Sequence, residues 1–114
     1  MSNPNNNGQA DYRTRARIQL QNRDLLLAEQ SYRRLLEIEP ADAEALKFLA
    51  QTYVERGQHD HAVDLLLAAH RTTPTAPAIL QQLGVLQLTM GDVQAAVDSL
   101  RQCLQLAPDA FAAR

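Results

Sequence analysis

The chain has 114 residues, a formal net charge of −2, no tryptophan and one cysteine. This length suits a single domain, and the slightly acidic balance argues against a nucleic-acid-binding surface, which is usually basic. One cysteine forms neither an internal disulfide nor a cysteine zinc site, and no apolar run reaches the ~20 residues that span a membrane, so we expect a cytoplasmic protein.

The first residues differ in composition from the rest of the chain. Residues 1–8 include Pro4, Gly8 and four asparagines, and they contain no apolar segment. We predict a disordered leader, because a segment with so little apolar surface cannot compensate for the entropy that is lost on folding. The lack of an apolar segment also argues against a secretory signal peptide.

A constant period organises the chain after the leader. Residues of three types recur at one constant spacing in the sequence. They are the prolines Pro40, Pro74 and Pro108, the alanines Ala28, Ala62 and Ala96, and the glycines Gly57 and Gly91. Apolar residues between them repeat at three and four positions, as on one face of a helix. This pattern predicts helices near residues 10–22, 24–38, 42–56, 58–72, 76–90 and 92–106. We expect residues 111–114 to begin a truncated or capping helix.

The recurring residue types suit the ends of these helices. Gly57 and Gly91 stand where the first helix of a pair must end, and glycine tolerates the left-handed conformation that closes a helix. In the first pair Arg23 stands there, preceded by Asn22, which also visits this conformation. The next residue in two pairs is an aspartate suited to an N-cap, and these are Asp24 and Asp92. Small residues recur where two helices would cross closely, at Ala16, Ala50 and Gly84 and at the three repeated alanines.

The stretch from Leu46 to Pro74 resembles a tetratricopeptide repeat, a helix pair of about 34 residues. The resemblance is carried by Leu46, Leu49, Ala50, Tyr53, Ala62, Leu66 and Pro74. It implies a right-handed all-α solenoid of three helix-turn-helix repeats, in a domain that spans residues 9–110. The repeats would cover residues 9–42, 43–76 and 77–110, so the step between the recurring residues equals the length of one repeat.

The first repeat departs from the family pattern. Tyr12 and Tyr32 keep aromatic positions, but Arg15 replaces the family's leucine and Gln19 its tyrosine. A terminal repeat needs a polar outer face, so we expect this departure to mark the end of the stack.

No set of residues predicts catalysis, and no cofactor is expected. His59 and His61 are two positions apart and therefore diverge on a helix, with no third ligand of the kind a zinc site needs. His70 is expected to be solvated or partly packed. Cys103 occupies a position that is usually small and apolar in the family, so a buried thiol is expected.

The family resemblance implies a ligand-binding groove along the first helices of the repeats. Its candidate positions here are Arg13, Arg17, Lys47, Phe48, Gln51, Gln81 and Gln82. Arg13, Arg17 and Lys47 favour a partner with negative charge near the first repeat, although Glu44 opposes them. The chaperone-tail clamp of one subfamily is not expected, because neutral Ala78 and Gln82 replace its third-repeat cations and cannot make charge-assisted bonds to a carboxylate.

The expected function is a protein-interaction scaffold that holds a peptide or a partner helix, without nucleic acid or membrane. Two alternatives remain open. The chain would be the N-terminal non-catalytic arm of a longer enzyme, such as a hydroxylase or transferase, or a self-assembly module. Leu100 and Leu104 lie where a contiguous apolar patch would be left uncovered, which indicates either a fragment of a longer solenoid or a homodimer through the C-terminal repeat. A monomer is expected instead if Phe111 and Ala112 fold back over this patch.

Overall fold

The computed structural model describes residues 7–107, with side chains from residue 11 onward. Its helices are α1 (Asn7–Gln21), α2 (Leu25–Ile38), α3 (Ala43–Glu55), α4 (His59–Thr72), α5 (Pro77–Thr89) and α6 (Val93–Leu106). The predicted all-α solenoid of three helix pairs is confirmed. Helix α1 includes residues 7 and 8 of the expected leader, whereas residues 1–6 and the expected helix start at 111–114 lie outside the described residues.

The helices pack in chain order. Contacts join α1 to α2, α3 to α4 and α5 to α6 within the repeats, and they join α2 to α3 and α4 to α5 between the repeats. Helices α3 and α5 also touch directly, so the first helices of successive repeats lie side by side. We call the surface formed by α1, α3 and α5 the first-helix face.

The core extends across the repeats because α2 packs against α3 and α4 packs against α5. One cluster joins α3, α4 and α5 through Leu46, Leu66, Ile79 and Leu83, with smaller neighbours. A second cluster joins the first two repeats through Tyr32, Leu35 and Leu49. Leu66 is fully buried in the first cluster, which joins the middle repeat to the third.

Close helix crossings explain the small residues. Ala16, Ala28, Ala62 and Ala96 are fully buried, as the period predicts. At Gly84 an added Cβ atom would lie 2.6 Å from Cγ of Leu100, which is well inside van der Waals contact. The space between α5 and α6 therefore admits no ordinary side chain unless Leu100 moves.

All three repeats close their first helix with the same backbone turn. Gly57 and Gly91 have φ values of 76° and 82°, and Arg23 adopts the same left-handed conformation with φ of 63°. In each turn the N–H of the next residue bonds to the carbonyl five positions earlier, as in Asp24 N–H to Gln19 O at 2.8 Å. The left-handed residue of the first turn is thus Arg23 itself, while Asn22 precedes it.

Replacing Arg23 by glycine is expected to raise the free energy of unfolding by roughly 1 kcal/mol, because a residue with a Cβ atom pays about that much in the left-handed region. Urea unfolding followed by circular dichroism measures the change. Gly57→Ala is the matched control, since a Cβ atom there meets nothing within 4 Å and only backbone strain is added. We expect it to destabilise the chain, and a stabilising Gly57→Ala would contradict this interpretation.

Three aspartates stand at helix starts, and the side chain of Asp42 bonds differently from those of Asp24 and Asp92. Asp24 and Asp92 are the N-cap residues of α2 and α6, and neither side chain accepts a capping hydrogen bond. Both residues come directly after the tight turn, which sets their ψ angles at 73° and 74°. Asp42, which the sequence pattern did not single out, has the extended geometry of a true cap and accepts a bond from the N–H of Ala45 at 2.9 Å.

The replacement of the family's tyrosine by Gln19 has a local explanation. Ser31 Oγ donates to Oε1 of Gln19 at 2.7 Å, and Ser99 Oγ donates to Oε1 of Gln87 at the same distance two repeats later. Both serines are buried, so each pair satisfies polar groups inside its repeat. The middle repeat has Tyr53 at the glutamine's position and therefore lacks this pair.

The outer face of the first repeat is largely polar in the described residues. Arg15 forms an ion pair with Asp11 and lies 5.3 Å from the ring centroid of Tyr12, while Arg34 lies 5.4 Å from the same ring. The first turn of α2 nevertheless exposes three leucines, which are Leu25, Leu26 and Leu27.

Candidate binding groove

A groove of about 490 Å³ lies on the first-helix face between α3 and α5. We call it the α3–α5 groove. Its lining residues are Lys47, Ala50, Gln51, Val54, Leu66, Ala78, Gln81, Gln82, Val85, Leu86 and Thr89. The members from α3 and from α5 each recur at three and four positions, so each set forms one face of its helix.

The groove has an apolar floor and a polar rim. Leu66 and Leu86 are buried beneath it, and Val85 is 55% exposed on its α5 side. The polar lining residues are three glutamines, one threonine and one lysine, and the lining contributed by the described residues contains no carboxylate. This combination can hold an apolar side chain while the amide groups bind a polypeptide backbone.

Four of the seven candidate residues line this groove. They are Lys47, Gln51, Gln81 and Gln82. Lys47 is exposed, and within residues 11–107 it makes no ion pair. Gln82 is half-buried and donates from Nε2 to the carbonyl of Ala43 at 3.3 Å, which ties the start of α3 to α5. The groove therefore carries one positive charge at its rim.

The other three candidates serve the junction between the first and second repeats. Arg17 donates from Nε and Nη2 to the two carboxylate oxygens of Glu44, at 3.0 and 2.6 Å. Arg13 forms an ion pair with Asp42. Phe48 is half-buried, with its ring centroid 4.9 Å from that of Tyr32. Since carboxylates of this chain balance both arginines, the case for an acidic partner at the first repeat is weakened.

Glu44 is the centre of this junction. It accepts the hydroxyl of Tyr32 at 2.7 Å in addition to the guanidinium of Arg17. These hydrogen bonds hold the pKa of Glu44 below its ordinary value, with Arg17 the largest cause, and they raise the pKa of Arg17. Glu29 forms a similar centre between α2 and α3, where bonds from Arg56 and Arg33 lower its pKa.

The lowered pKa values of Glu44 and Glu29 predict that the free energy of unfolding decreases at acid pH. Because their folded pKa values lie below the ordinary value of 4.5, their stabilising effect is complete above about pH 4.5 and is lost as the pH falls through the folded pKa values. We expect Glu44→Gln to lower the free energy of unfolding at neutral pH and to make it depend less on pH in the acid range. Urea unfolding at a series of pH values measures both effects, with exposed Glu37→Gln as the control. If Glu44→Gln had the same acid-range pH dependence of stability as the wild type, Glu44 would not be a source of that dependence.

The remaining polar candidates form no reactive centre within the described chain. Residues 7–107 contain no cluster of three or more histidine, cysteine or carboxylate groups that could hold a metal ion. His61 stacks on Tyr53, with ring centroids 5.6 Å apart. Cys103 is buried, its thiol donates to the carbonyl of Pro77 at 3.3 Å, and burial raises its pKa. No helix in residues 7–107 is both long and apolar enough to cross a membrane.

The apolar part of the groove was not predicted from the sequence. Val54, Val85 and Leu86 carry its walls and floor, yet none of them was a candidate. A signal was present, because Val54 follows Lys47 by seven positions and Val85 follows Gln81 by four. Such spacing places each valine on the same helical face as its polar neighbour.

Comparison with known proteins identifies the repeats. Two family models, both described as tetratricopeptide repeat, match residues 13–77 and 77–110. A TPR repeat-containing protein of Pseudomonas aeruginosa is 35% identical over 97 residues, which are 84% of this chain and 16% of that protein. The cellulose synthase operon protein C of Komagataeibacter xylinus is 38% identical over 64 residues, which are 56% of this chain and 5% of that protein. The chain thus spans about a sixth or less of these relatives.

Solved structures show the same architecture. A mutant O-GlcNAc transferase of Thermobaculum terrenum matches with a TM-score of 0.72 and 27% identity, over 96% of this chain and 21% of that one. The Sgt2 TPR domain of Aspergillus fumigatus matches with a TM-score of 0.68 and 20% identity, over 89% and 67%. The MamA protein matches with a TM-score of 0.66 and 22% identity, over 91% and 57%.

Proposed function

The chain belongs to the tetratricopeptide repeat family, whose repeats are generally protein-interaction modules, and we propose that it binds a peptide segment of a partner protein in the α3–α5 groove. The proposal rests on the composition and the volume of the groove. An apolar floor lies between Gln51 of α3 and the pair Gln81 and Gln82 of α5, and the volume of about 490 Å³ falls in the range of about 300–1,000 Å³ usual for ligand sites.

The lining also indicates which segment fits. Val85 and Leu86 favour an apolar side chain of the partner, since these residues offer no hydrogen bond to a polar one. Lys47 stands at the rim without an ion pair among the described residues, and no carboxylate lines the groove to compete for it. The partner segment is therefore expected to carry an apolar residue close to an acidic one.

Selection from a random peptide library against the purified chain tests this proposal. Selected peptides should share an apolar residue with a neighbouring carboxylate, and Val85→Asp should weaken their binding at least about ten-fold, which is about 1.4 kcal/mol. Leu26→Asp is the matched control, because Leu26 is exposed on α2 and lies outside the groove. Lys47→Gln should remove the acidic preference alone.

Two results would oppose the proposal. Equal binding of the selected peptides to wild type and Val85→Asp would place their site elsewhere. Selected peptides without an apolar residue would show that the floor of the groove is not used. Measurements at low and high salt separate the Lys47 contribution, because exposed charge contacts are screened over about 8–10 Å at physiological ionic strength.

The lengths of the relatives favour a second candidate role for the same groove. This chain spans 16% of the Pseudomonas relative and 21% of the transferase structure, so similar repeats occur within much longer chains. The role would be that of a non-catalytic arm that recruits a protein to a longer enzyme. Deleting the arm from such an enzyme should abolish recruitment and leave turnover of a small substrate unchanged.

The third repeat favours self-association as a further part of the function. Helix α6 exposes Val93, Val97 and Leu104, and the neighbouring Leu88 of α5 is 50% exposed. Contiguous apolar surface of this kind usually marks an interface. We propose that a second copy of the chain covers it, in a two-fold dimer through the third repeat.

A further inference from the structure

The repeat allows the two junctions between first helices to be compared position by position. We call the contact of α1 with α3 the first junction, and the α3–α5 groove lies in the second. Equivalent positions, one repeat apart, are Arg13 and Lys47, Arg17 and Gln51, and Glu44 and Ala78. The later member of each pair lines the α3–α5 groove. The first junction therefore shows how longer charged side chains at these positions interact.

A carboxylate of the chain itself ties the first junction together. Glu44 accepts bonds from Arg17 at 2.6 and 3.0 Å, and its Oε1 lies 4.0 Å from Nε of Arg13. The side chain of Glu44 is 33% exposed, so water screens these contacts only in part. A glutamate at this position of a first helix thus reaches the cations of the first helix before it.

The second junction keeps a cation and lacks this carboxylate. Lys47 takes the place of Arg13, and in the part of the chain whose side chains are described it forms no ion pair. Ala78 takes the place of Glu44, and its side chain ends at Cβ. Gln51 retains an amide that can donate where Arg17 donates one repeat earlier. The donors of the first junction are therefore partly retained, while their acceptor is gone.

The second junction also contains less side-chain volume. In the first junction the rings of Tyr32 and Phe48 stack with their centroids 4.9 Å apart. One repeat later these positions hold Leu66 and Gln82, which are smaller and line the α3–α5 groove. The replacements leave space beside the place of the missing carboxylate, so a group from another molecule can enter it.

We infer that a glutamate side chain of the partner places its carboxylate over Ala78, beside Lys47 and Gln51, where Glu44 stands in the first junction. The inference rests on the peptide binding proposed above, and it adds the position of the acidic residue within the groove. The reference contact is made by a side chain, so the ligand group is a side-chain carboxylate and not a C-terminal one. Ala78 is then a specificity-determining residue, because a carboxylate of the chain at this position would compete with that of the partner.

Ala78→Glu tests this position. The probes are a library-selected peptide with one glutamate and an amidated C-terminus, and the same peptide with glutamine in place of the glutamate. Wild type should bind the glutamate peptide about five-fold more tightly, an upper value for a charge contact that water partly screens. Ala78→Glu should abolish this preference, because its own carboxylate engages Lys47. Fluorescence anisotropy at low salt measures the four dissociation constants.

Ala78→Gln is the matched control, because glutamine has nearly the size of glutamate and no charge. Its added bulk should affect both peptides by the same factor, so the preference for the glutamate peptide should persist. A second readout needs no peptide. Ala78→Glu should unfold at a higher urea concentration than Ala78→Gln at neutral pH, and adding Lys47→Gln to both should reduce this difference, since the double-mutant cycle isolates the new pair.

The outcomes separate this inference from the proposed function. If Val85→Asp weakens peptide binding and Ala78→Glu keeps the full glutamate preference, the groove is used and the inferred position of the carboxylate is wrong. A preference that appears only with a free C-terminus would likewise overturn the assignment to a side chain. If Lys47→Gln leaves the stability difference between Ala78→Glu and Ala78→Gln unchanged, a carboxylate at this position does not reach Lys47. Failure to select any peptide would overturn the inference together with the proposed function.

Discussion

Replacing Leu66 by alanine is expected to remove about 2–5 kcal/mol of the free energy of unfolding, the range for a fully buried leucine that leaves a cavity. Leu66 is 0% exposed and packs in the cluster that joins α3, α4 and α5. Since a domain of this size has a total stability of only about 5–15 kcal/mol, the loss should bring the variant close to unfolding at moderate temperature. Urea unfolding followed by far-ultraviolet circular dichroism measures it.

The repeat supplies a matched control for this prediction. Leu100 occupies the equivalent position of the third repeat, but it is only half-buried because no described helix packs on its outer side. At dilute protein concentration Leu100→Ala should therefore cost less than about 2 kcal/mol, the low end for such a truncation. If both substitutions cost the same, burial by the following repeat would not be the source of the stability of Leu66.

Replacing Asp42 by alanine is expected to lower the free energy of unfolding by about 1–3 kcal/mol, through loss of an N-cap and of a partly buried hydrogen-bonded ion pair. Asp42 is 7% exposed and accepts the N–H of Ala45 at 2.9 Å while it pairs with Arg13. The substitution leaves the N–H uncapped and the guanidinium without its nearest carboxylate. The same urea unfolding experiment detects the change.

Two further variants divide this effect between the cap and the ion pair. Asp42→Asn keeps an oxygen for the N–H of Ala45 and removes only the charge, so it should cost less than Asp42→Ala. Arg13→Ala removes the other partner, and a double-mutant cycle with Asp42→Asn isolates the coupling between the two side chains. If Asp42→Asn were as damaging as Asp42→Ala, the charge would matter more than the cap.

The fold was largely predictable because its signals are local. The six predicted helices agree with the structure to within three residues at every end, since glycine, proline and N-cap aspartate act on the neighbouring backbone. The left-handed turns at Gly57 and Gly91 were predicted for the same reason. The first turn was less well predicted, because Arg23 has no intrinsic preference for the conformation that its position imposes.

The candidate site was predicted only in part. Lys47 and the three glutamines were assigned to the groove from their places in the repeat, and the structure brings them together between α3 and α5. Arg13 and Arg17 are also on the first-helix face, but their partners Asp42 and Glu44 lie 27 or 29 positions away along the chain. Whether an arginine faces a ligand or a carboxylate of its own chain depends on that distant contact.

The sequence by itself determined the period, the helices, their turns and the small residues where helices cross, because each of these depends on interactions within one repeat. The tertiary structure decided which polar residues remain available to a partner. It engaged Arg13, Arg17 and Phe48 in the junction of the first two repeats, and it left Lys47 at the rim of an apolar groove. Ion pairs and grooves arise between repeats, and they depend on the relative placement of helices, which a periodic pattern does not specify.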